Sequence, residues 1–271
     1  MSGLGERFAP YTGDTAAFVP YLTMGDPSLD RSIELVKALS RAGSDVIELG
    51  IPFSDPLADG PTIQAAMQRA LGPHWDRVTL TDVLEGVGRV RGEIDSALIA
   101  FSYYNPIFRM GVERFAATAA DAGIDGVLVP DLTPEEGGPL VEACRAKGLD
   151  VVFLIAPTST DERMKMIGGA SGGFVYVVSL TGVTGARAEI PTDLRELMAR
   201  VRRNTDMPLA IGFGISTPEM AAEIAKIADG VVVGSALVRI VAEHGNSGDL
   251  VELYEGFARS LAEAAHGGSD G

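Results

Sequence analysis

Short apolar runs alternate along this chain with segments in which apolar residues recur at helical spacing. Apolar runs of this length, bounded by glycine, proline and polar residues, are typical of buried β-strands. The runs predict eight strands, at 18–23, 45–49, 97–102, 126–129, 151–155, 174–178, 209–212 and 230–233. The helical spacing predicts helices at 30–42, 62–71 with 80–92, 111–122, 134–147, 160–168, 192–203, 217–227 and 248–265.

Each predicted strand is followed by a helix and most connections are short, so the strands are expected to pair in parallel. Eight such units in 271 residues are typical of a (β/α)8 or TIM barrel, a parallel sheet closed on itself and covered by helices. We expect short extra helices and two long loops, at 50–62 after the second strand and at 179–191 after the sixth. A doubly wound open sheet is the alternative architecture.

No linker, charge block or low-complexity stretch divides the chain, so we expect a single domain over 1–271, with a frayed tail from about residue 266. No apolar stretch approaches the length of a membrane helix, and the N-terminus lacks the apolar core of a signal peptide. The one cysteine, Cys144, has no partner for a disulfide within the chain. These features favour a cytoplasmic protein.

The charge balance is acidic, with 22 Lys and Arg against 37 Asp and Glu and a formal net charge of −15. Repulsion from phosphate groups makes nucleic acid an unfavourable partner. An anionic ligand would therefore be held by backbone N–H groups beside it rather than by overall charge.

Glu48 is an acidic residue within the second apolar run, where burying an ionised carboxylate is costly. Because side chains alternate along a strand, Glu48 faces the barrel interior if Ile47 and Leu49 face the helices. Burial there would raise its pKa toward neutrality and allow it both to give and to take a proton. The alternative is a structural glutamate paired with an arginine.

A second carboxylate, Asp59, follows in a loop that contains Pro52, Pro56 and Pro61. Asp-Gly alone is an ordinary turn signal, but the prolines reduce the conformational entropy lost in holding a carboxylate in one place. Two carboxyls, one in an apolar and one in a polar setting, are how a single site obtains two protonation roles. Glu48 and Asp59 are therefore the candidate catalytic residues.

Glycines follow the seventh and eighth predicted strands, at Gly212, Gly214 and Gly234, and Ser235 comes directly after the last of these. Each group opens a helix, where backbone N–H groups are able to approach an anion. In (β/α)8 barrels the loops after strands 7 and 8 commonly bind phosphate. We predict a phosphate site here; the alternative is that the glycines only permit tight turns.

The loop after the sixth strand contains Gly-Val-Thr-Gly-Ala-Arg at 182–187. Small residues around a hydroxyl suggest a lid that closes over a ligand, although an ordinary surface loop fits equally well. Tyr176, within the sixth strand, either lines the barrel interior or belongs to the core.

Two other kinds of chemistry lack the residues they need. The three histidines, at 74, 244 and 266, have no metal-binding spacing, so no metal site is expected. The four lysines, at 37, 147, 165 and 226, fall in predicted helices rather than at a strand end, where a Schiff base would form. Cleavage of a carbon–carbon bond through an imine or a metal enolate is therefore disfavoured, and proton transfer by carboxylates remains.

The segment 48–64, Glu-Leu-Gly-Ile-Pro-Phe-Ser-Asp-Pro-Leu-Ala-Asp-Gly-Pro-Thr-Ile-Gln, closely resembles the signature of the tryptophan synthase alpha subunit family. Phe-Val-Pro-Tyr-Leu-Thr-Met-Gly-Asp-Pro at 18–27, Gly-Val-Thr-Gly at 182–185, Gly-Phe-Gly-Ile-Ser at 212–216 and Gly-Ser-Ala at 234–236 fall in the family's order and spacing. The resemblance covers residues 18–241.

This resemblance implies a (β/α)8 barrel that cleaves indole-3-glycerol phosphate to indole and glyceraldehyde 3-phosphate in a retro-aldol reaction, with no cofactor in this chain. It also implies a beta subunit that carries pyridoxal phosphate and receives the indole, within an alpha2beta2 heterotetramer. By position, Glu48 would be the acid/base and Asp59 the carboxylate that engages the indole N–H. The other positions carried over are substrate contacts: Thr184 and Gly185 in the closing loop, Gly185, Gly214, Gly234 and Ser235 at the phosphate, and Tyr176 in the pocket wall.

Two stretches depart from the family pattern. Leu180-Thr181 stands where many relatives carry an arginine, which puts an ionic latch for the closing loop in doubt. The segment 72–77, Gly-Pro-His-Trp-Asp-Arg, is a few residues longer than usual, which fits a surface elaboration.

By resemblance, the surface that meets the beta subunit would include Pro52, Phe53, Asp55 and Pro56 and the region 105–108. Three alternatives stay open: a free-standing lyase without a beta partner, another phosphate-binding barrel of the pathway such as the synthase that makes this substrate, and a catalytically silent subunit. The absence of a strand-borne lysine disfavours the second, and the presence of both carboxylates disfavours the third.

Overall fold

The computed structural model describes residues 3–73, 78–178, 190–212 and 214–268. Within these ranges nine strands form one sheet. They are β1 (Ala17–Thr23), β2 (Val46–Gly50), β3 (Ala97–Phe101), β4 (Gly126–Leu128), β5 (Asp150–Val152), β6 (Leu154–Ile155), β7 (Val175–Val178), β8 (Leu209–Gly212) and β9 (Gly230–Val233).

The sheet runs in the order β5-β4-β3-β2-β1-β9-β8-β7-β6, and its paired neighbours are all parallel. The two end strands, β5 and β6, are consecutive in the chain and separated only by Phe153. Hydrogen bonds continue across this break, from Gly172 N–H to Val151 O (2.8 Å) and from Tyr176 N–H to Phe153 O (3.1 Å). The predicted fifth strand is thus β5 plus β6, and the sheet closes as a (β/α)8 barrel; the prediction is confirmed and the open-sheet alternative is wrong.

Helices surround the sheet. Those in the described residues are α1 (Leu29–Arg41), α2 (Pro61–Leu71), α3 (Leu80–Val90), α4 (Tyr104–Met110), α5 (Val112–Asp121), α6 (Gly138–Ala146), α7 (Asp161–Ala170), α8 (Thr192–Arg202), α9 (Pro218–Ala225), α10 (Ser235–His244) and α11 (Leu250–Ala265). Short 3-10 helices occupy Gly5–Arg7 and Arg91–Glu93. None of these helices is both long enough and apolar enough to traverse a lipid bilayer.

Three helices differ from the predicted ones. The helix predicted at 134–147 begins only at Gly138, because the N–H groups of Glu136 and Gly137 turn back to the Thr133 carbonyl (3.1 and 2.8 Å). α4 was not predicted, since its seven residues are too few to show helical spacing. α10 was expected only as a helix opening after Gly234, without its ten-residue extent.

The barrel wall divides the core into two layers. Ile47 and Leu49 pack in the outer layer between sheet and helices, whereas Val46 packs in the layer inside the barrel. Side chains of β2 therefore alternate as expected. Leu4 and Phe8, from the N-terminal segment, belong to the inner layer and are 0% and 3% exposed. They plug the end of the barrel where the strands begin.

A repeated hydrogen bond joins neighbouring strands at that same end. In each case, a residue shortly before one strand has a side-chain oxygen that accepts a hydrogen bond from a backbone N–H. That N–H belongs to the preceding strand or, for Phe153, to the break between β5 and β6. The four pairs are Asp45 with Phe18 N–H (2.8 Å), Asp125 with Leu98 N–H (2.8 Å), Ser171 with Phe153 N–H (3.3 Å) and Asp229 with Leu209 N–H (2.8 Å). Together the four pairs join the barrel strands two by two.

The C-terminal segment is anchored at its first residue, although the tail was expected to fray from there. His266 Nε2 lies 2.9 Å from Asp45 Oδ2 and 3.0 Å from the Tyr11 hydroxyl, and the His266 and Tyr11 rings stack 4.9 Å apart. Residues 269–271 of the expected tail lie outside the described ranges.

Candidate active site

Glu48 lies in the middle of β2, beside Tyr21 of β1 and Ile99 of β3. Its side chain points into the barrel, on the same face of the strand as Val46, and the residue is 1% exposed. Its Oε1 has no hydrogen-bond partner among the described residues. Burial, and after it the nearby Asp59 carboxylate, raises the pKa of Glu48 to about 8. Among the described residues no arginine pairs with Glu48, as a purely structural role for this glutamate would require.

Asp59 lies in the loop between β2 and α2 and lines the same cavity as Glu48. The Tyr103 hydroxyl donates to Asp59 Oδ2 (2.7 Å) and accepts the Ala58 N–H (2.9 Å). Gln64 Nε2 donates to the Asp59 carbonyl (2.9 Å). Burial raises the pKa of Asp59, and the Tyr103 hydrogen bond opposes that rise. The loop is therefore held by hydrogen bonds from both sides, in addition to the stiffening by proline.

Two tyrosines reach across the interior above Glu48. Tyr21 is buried, with its hydroxyl 3.3 Å from Thr23 Oγ1, and Tyr176 extends from β7. Each hydroxyl lies over a glycine at a strand end: a Cβ on Gly50 would meet the Tyr21 oxygen at 2.2 Å, and one on Gly212 the Tyr176 oxygen at 2.0 Å. Burial raises the pKa of both hydroxyls, so both stay protonated and are able to donate.

The glycine-rich strand ends around Gly214 and Gly234 have features that suit an anion. Gly214 has φ +67°, a left-handed conformation suited to glycine. Gly234 is the N-cap of α10 and supplies no side chain to the helix end, and Ser235 is the first helical residue. The first N–H groups of a helix have no partner within the helix and carry a partial positive charge. This end of α10 therefore suits a phosphate group.

One cavity of about 180 Å³ gathers these groups at the C-terminal ends of the strands. Its walls are Tyr21, Glu48, Asp59, Ile63, Phe101, Tyr176, Gly212, Gly214, Val232, Gly234 and Ser235. The two carboxylates and the glycine-rich strand ends thus line a single space. Of the site residues predicted from sequence, Thr184 and Gly185 lie outside the described ranges, as does Leu180.

Comparison with known proteins supplies the family. A sequence profile described as tryptophan synthase alpha chain matches residues 10–266. The tryptophan synthase alpha chain of Thermoanaerobacter sp. (strain X514) is 45% identical over 264 residues, which are 97% of this chain and 99% of the relative. The chain belongs to the tryptophan synthase alpha chain family. The alpha chain of Methanosarcina mazei is 50% identical over 246 residues, 90% of this chain and 87% of that one.

Solved structures of the family have the same fold. A tryptophan synthase chain from Mycobacterium tuberculosis matches with a TM-score of 0.88 at 38% identity, covering 98% of both chains. Tryptophan synthase subunit alpha from Legionella pneumophila matches with a TM-score of 0.87 at 35% identity, again over 98% of both. As a member of this family, the protein is a lyase of tryptophan biosynthesis that acts on indole-3-glycerol phosphate.

Several residues of this alpha-chain site were not singled out from the sequence. Tyr103 lies two residues after the end of β3, so its position after a barrel strand was the available signal. Gln64 stands in the resembling segment without any pattern that marks it as a support for the loop. Tyr21 and Phe101, whose rings meet edge to face at 5.5 Å, read as ordinary strand aromatics. The ring contact between Tyr21 of β1 and Phe101 of β3 becomes visible only once the strands are assembled.

Proposed function

We propose that Glu48 is the acid/base that cleaves indole-3-glycerol phosphate. Protonation of indole C3 makes the ring an electron acceptor, and loss of the hydroxyl proton from the attached carbinol carbon allows the carbon–carbon bond to break. The electron pair of that bond returns to the ring, giving indole and glyceraldehyde 3-phosphate. One proton is given and one is taken, so Glu48 ends as it began.

The observation that carries the proposal is the state of Glu48 in its cavity. A pKa of about 8 keeps most of the carboxyl protonated near neutral pH, ready to act as an acid, yet close enough to neutrality to act as a base afterwards. Oε1 has no partner among the described residues, so a substrate atom is free to meet it.

Asp59 stabilises the positive charge that protonation of C3 places on the ring nitrogen. A carboxylate is most effective for this in a dry site, where little water screens it. The Tyr103 hydroxyl, which donates to Oδ2 at 2.7 Å, keeps this carboxylate in position. Tyr103 acts as a positioning residue in this proposal because it contacts Asp59 rather than the substrate.

The phosphate group binds at Gly214, Gly234 and Ser235, with the first N–H groups of α10 as donors. Binding energy from this remote group fixes the reacting carbons between the two carboxylates. Thr184 and Gly185 would complete the site as parts of a closing loop, and Tyr176 as part of the wall; these assignments come from the family resemblance.

Replacing Glu48 with glutamine tests the proposal. Glu48→Gln keeps the shape of the side chain and removes the proton that is transferred, so indole release should fall by about two to four orders of magnitude. Release of indole from indole-3-glycerol phosphate is the measurement, and circular dichroism checks the fold. Glu113→Gln, at an exposed position on α5, is the matched control. Turnover by Glu48→Gln close to that of the control would refute the assignment.

We further propose that the chain works in the cytoplasm with a beta subunit, and that pyridoxal phosphate is held by that subunit rather than by this chain. Two large apolar side chains stand exposed near the site, Leu57 at 91% and Phe108 at 66%. Between their segments lies a groove whose walls include Pro52, Phe53 and Pro106 along with Arg109 and other polar residues. Exposed apolar groups beside a groove are typical of protein interfaces, which favours a partnered lyase over a free-standing one.

A further inference from the structure

A second cavity, of about 500 Å³, adjoins the active-site cavity. The two share four wall residues: Asp59, Phe101, Tyr176 and Gly212. Gly214 and Gly234, which form the proposed anion cradle, line the first cavity and not the second. A ligand that contacts both Asp59 and the cradle therefore has its phosphate end in the first cavity and its other end at the border of the second.

The proposed function, on which this inference rests, decides which part of the substrate lies at that border. With the phosphate in the cradle, C3 at Glu48 and the ring N–H at Asp59, the benzene ring of the indole is the end farthest from the phosphate. That ring faces the second cavity past Asp59.

The second cavity has both apolar and polar walls. Phe101, Pro130 and Leu154 provide apolar surface beside the ring. Ser159 and Thr158, in the turn after β6, also line it. Ser159 is 7% exposed and its Oγ accepts the Ala156 N–H (3.2 Å), so its hydroxyl proton points elsewhere.

The positive charge of Arg163 is already paired. Arg163 reaches this cavity, but its Nη1 lies 2.6 Å from Glu135 Oε1. With that pair formed and a net charge of −15 on the chain, an anionic substituent gains little here. A neutral group that accepts or donates a hydrogen bond suits the serine and threonine hydroxyls.

We infer that this alpha chain also cleaves indole-3-glycerol phosphates that carry a hydroxyl on the benzene ring. The hydroxyl occupies the second cavity and hydrogen-bonds to Ser159, while the reacting atoms keep their places at Glu48 and Asp59. The products are the corresponding hydroxyindole and glyceraldehyde 3-phosphate, formed by the same bond cleavage.

The test compares kcat/KM for substrates hydroxylated at ring carbon 5 or 6 with kcat/KM for the parent substrate, using the full chain with a beta subunit. The ratio should lie within about tenfold of unity for one of them, a range set by what a single small group contributes in a pocket. Ser159→Leu, which fills the cavity, should lower that ratio by about tenfold or more, and Ser159→Ala, which removes only the hydroxyl, by a smaller factor.

Thr158→Leu is a second filling variant at an exposed position, where a larger side chain does not disturb the core. A ratio below about one tenth for both substrates overturns the inference, and so does a ratio that neither leucine variant changes. Either result leaves the proposed function intact, because that function fails on a different observation: parent substrate cleaved equally well by Glu48→Gln.

Discussion

A carboxyl group kept protonated inside a barrel links the stability of the fold to pH. The ordinary pKa of Glu48 is 4.5, and the folded value is about 8. Between these values the folded state holds a proton that the unfolded chain has released. Since the folded state binds more protons, the free energy of unfolding must fall as pH rises through this window. The stability that depends on a protonated Glu48 is fully present below pH 4.5 and is lost above about pH 8.

Glu48→Gln should remove this pH dependence, because glutamine does not ionise. Relative to the unchanged chain, the variant should gain stability as pH rises, by up to a few kcal/mol, since each pKa unit corresponds to about 1.4 kcal/mol. Urea unfolding at several pH values across the window measures the difference, with Glu113→Gln as the control. A difference that stays constant with pH would show that Glu48 ionises in the folded chain as it does in the unfolded one.

The two carboxylates were singled out from the sequence on physical grounds that the supporting residues lack. An acid inside an apolar strand is costly, so Glu48 draws attention by itself. Tyr103 is an unremarkable tyrosine until the pairing of β2 with β3 brings its hydroxyl to Asp59. Gly50 likewise needs the Tyr21 hydroxyl above it before its lack of a side chain has a meaning. Contacts between neighbouring strands are what one sequence does not display.

At the scale of elements, the barrel is tied together by the side-chain bonds at the beginnings of its strands. Asp125 accepts the Leu98 N–H through Oδ2 and donates its own N–H to the Leu98 carbonyl (2.9 Å). Arg91 Nη2 lies 3.3 Å from the same carboxylate. Asp45 and Asp229 repeat the reciprocal pair with Phe18 and Leu209.

Removing one of these ties should leave a strand N–H without its acceptor. We expect Asp125→Ala to lower the free energy of unfolding by about 1–3 kcal/mol, the usual result of leaving a buried donor unpaired. Denaturant unfolding measures the loss, and faster hydrogen exchange at the Leu98 amide locates it. Asp121→Ala, at an exposed position on α5, removes the same group from the surface and should be close to neutral. Equal losses in the two variants would contradict a specific role for Asp125.

The elements themselves were largely predictable, and the exceptions have local causes. The eight apolar runs gave every strand, but not the break at Phe153, where the N–H bonds to the Ser171 hydroxyl. α6 begins late because the Thr133 carbonyl is taken by a turn. α4 contains Pro106 and only seven residues, so it shows no clear periodicity. The first two exceptions depend on hydrogen bonds whose partners the pattern of apolar residues does not identify, and the third on the length of the helix.

At the scale of the whole molecule, the two ends of the barrel have different roles. The end where strands begin holds the N-terminal plug of Leu4 and Phe8, with the Phe8 ring 5.0 Å from that of Phe174. The end where strands finish holds the cavity and the exposed Phe108. In barrels of this kind the first end serves stability and the second serves function.

One substitution made at each end separates these roles, because Phe8→Ala and Phe108→Ala remove the same ring. Phe8 is 3% exposed and Phe108 is 66% exposed. Phe8→Ala should lower the free energy of unfolding by about 3–5 kcal/mol, the range for phenylalanine deleted from a core. Phe108→Ala should change it by no more than about 0.5 kcal/mol, as surface substitutions do.

Activation by a beta subunit should show the opposite ranking, with Phe108→Ala having the larger effect and Phe8→Ala the smaller. Phe108→Ala should need about ten times more beta subunit to activate indole release. This is the loss expected when an aromatic anchor is removed from an interface. Phe8→Ala, measured where it is still folded, should be activated normally, because its site lies at the opposite end of the barrel. Denaturant unfolding and a beta-subunit titration provide the two measurements. If Phe108→Ala were activated like the unchanged chain, the exposed ring would not belong to the partner surface, and the groove beside it would need another occupant.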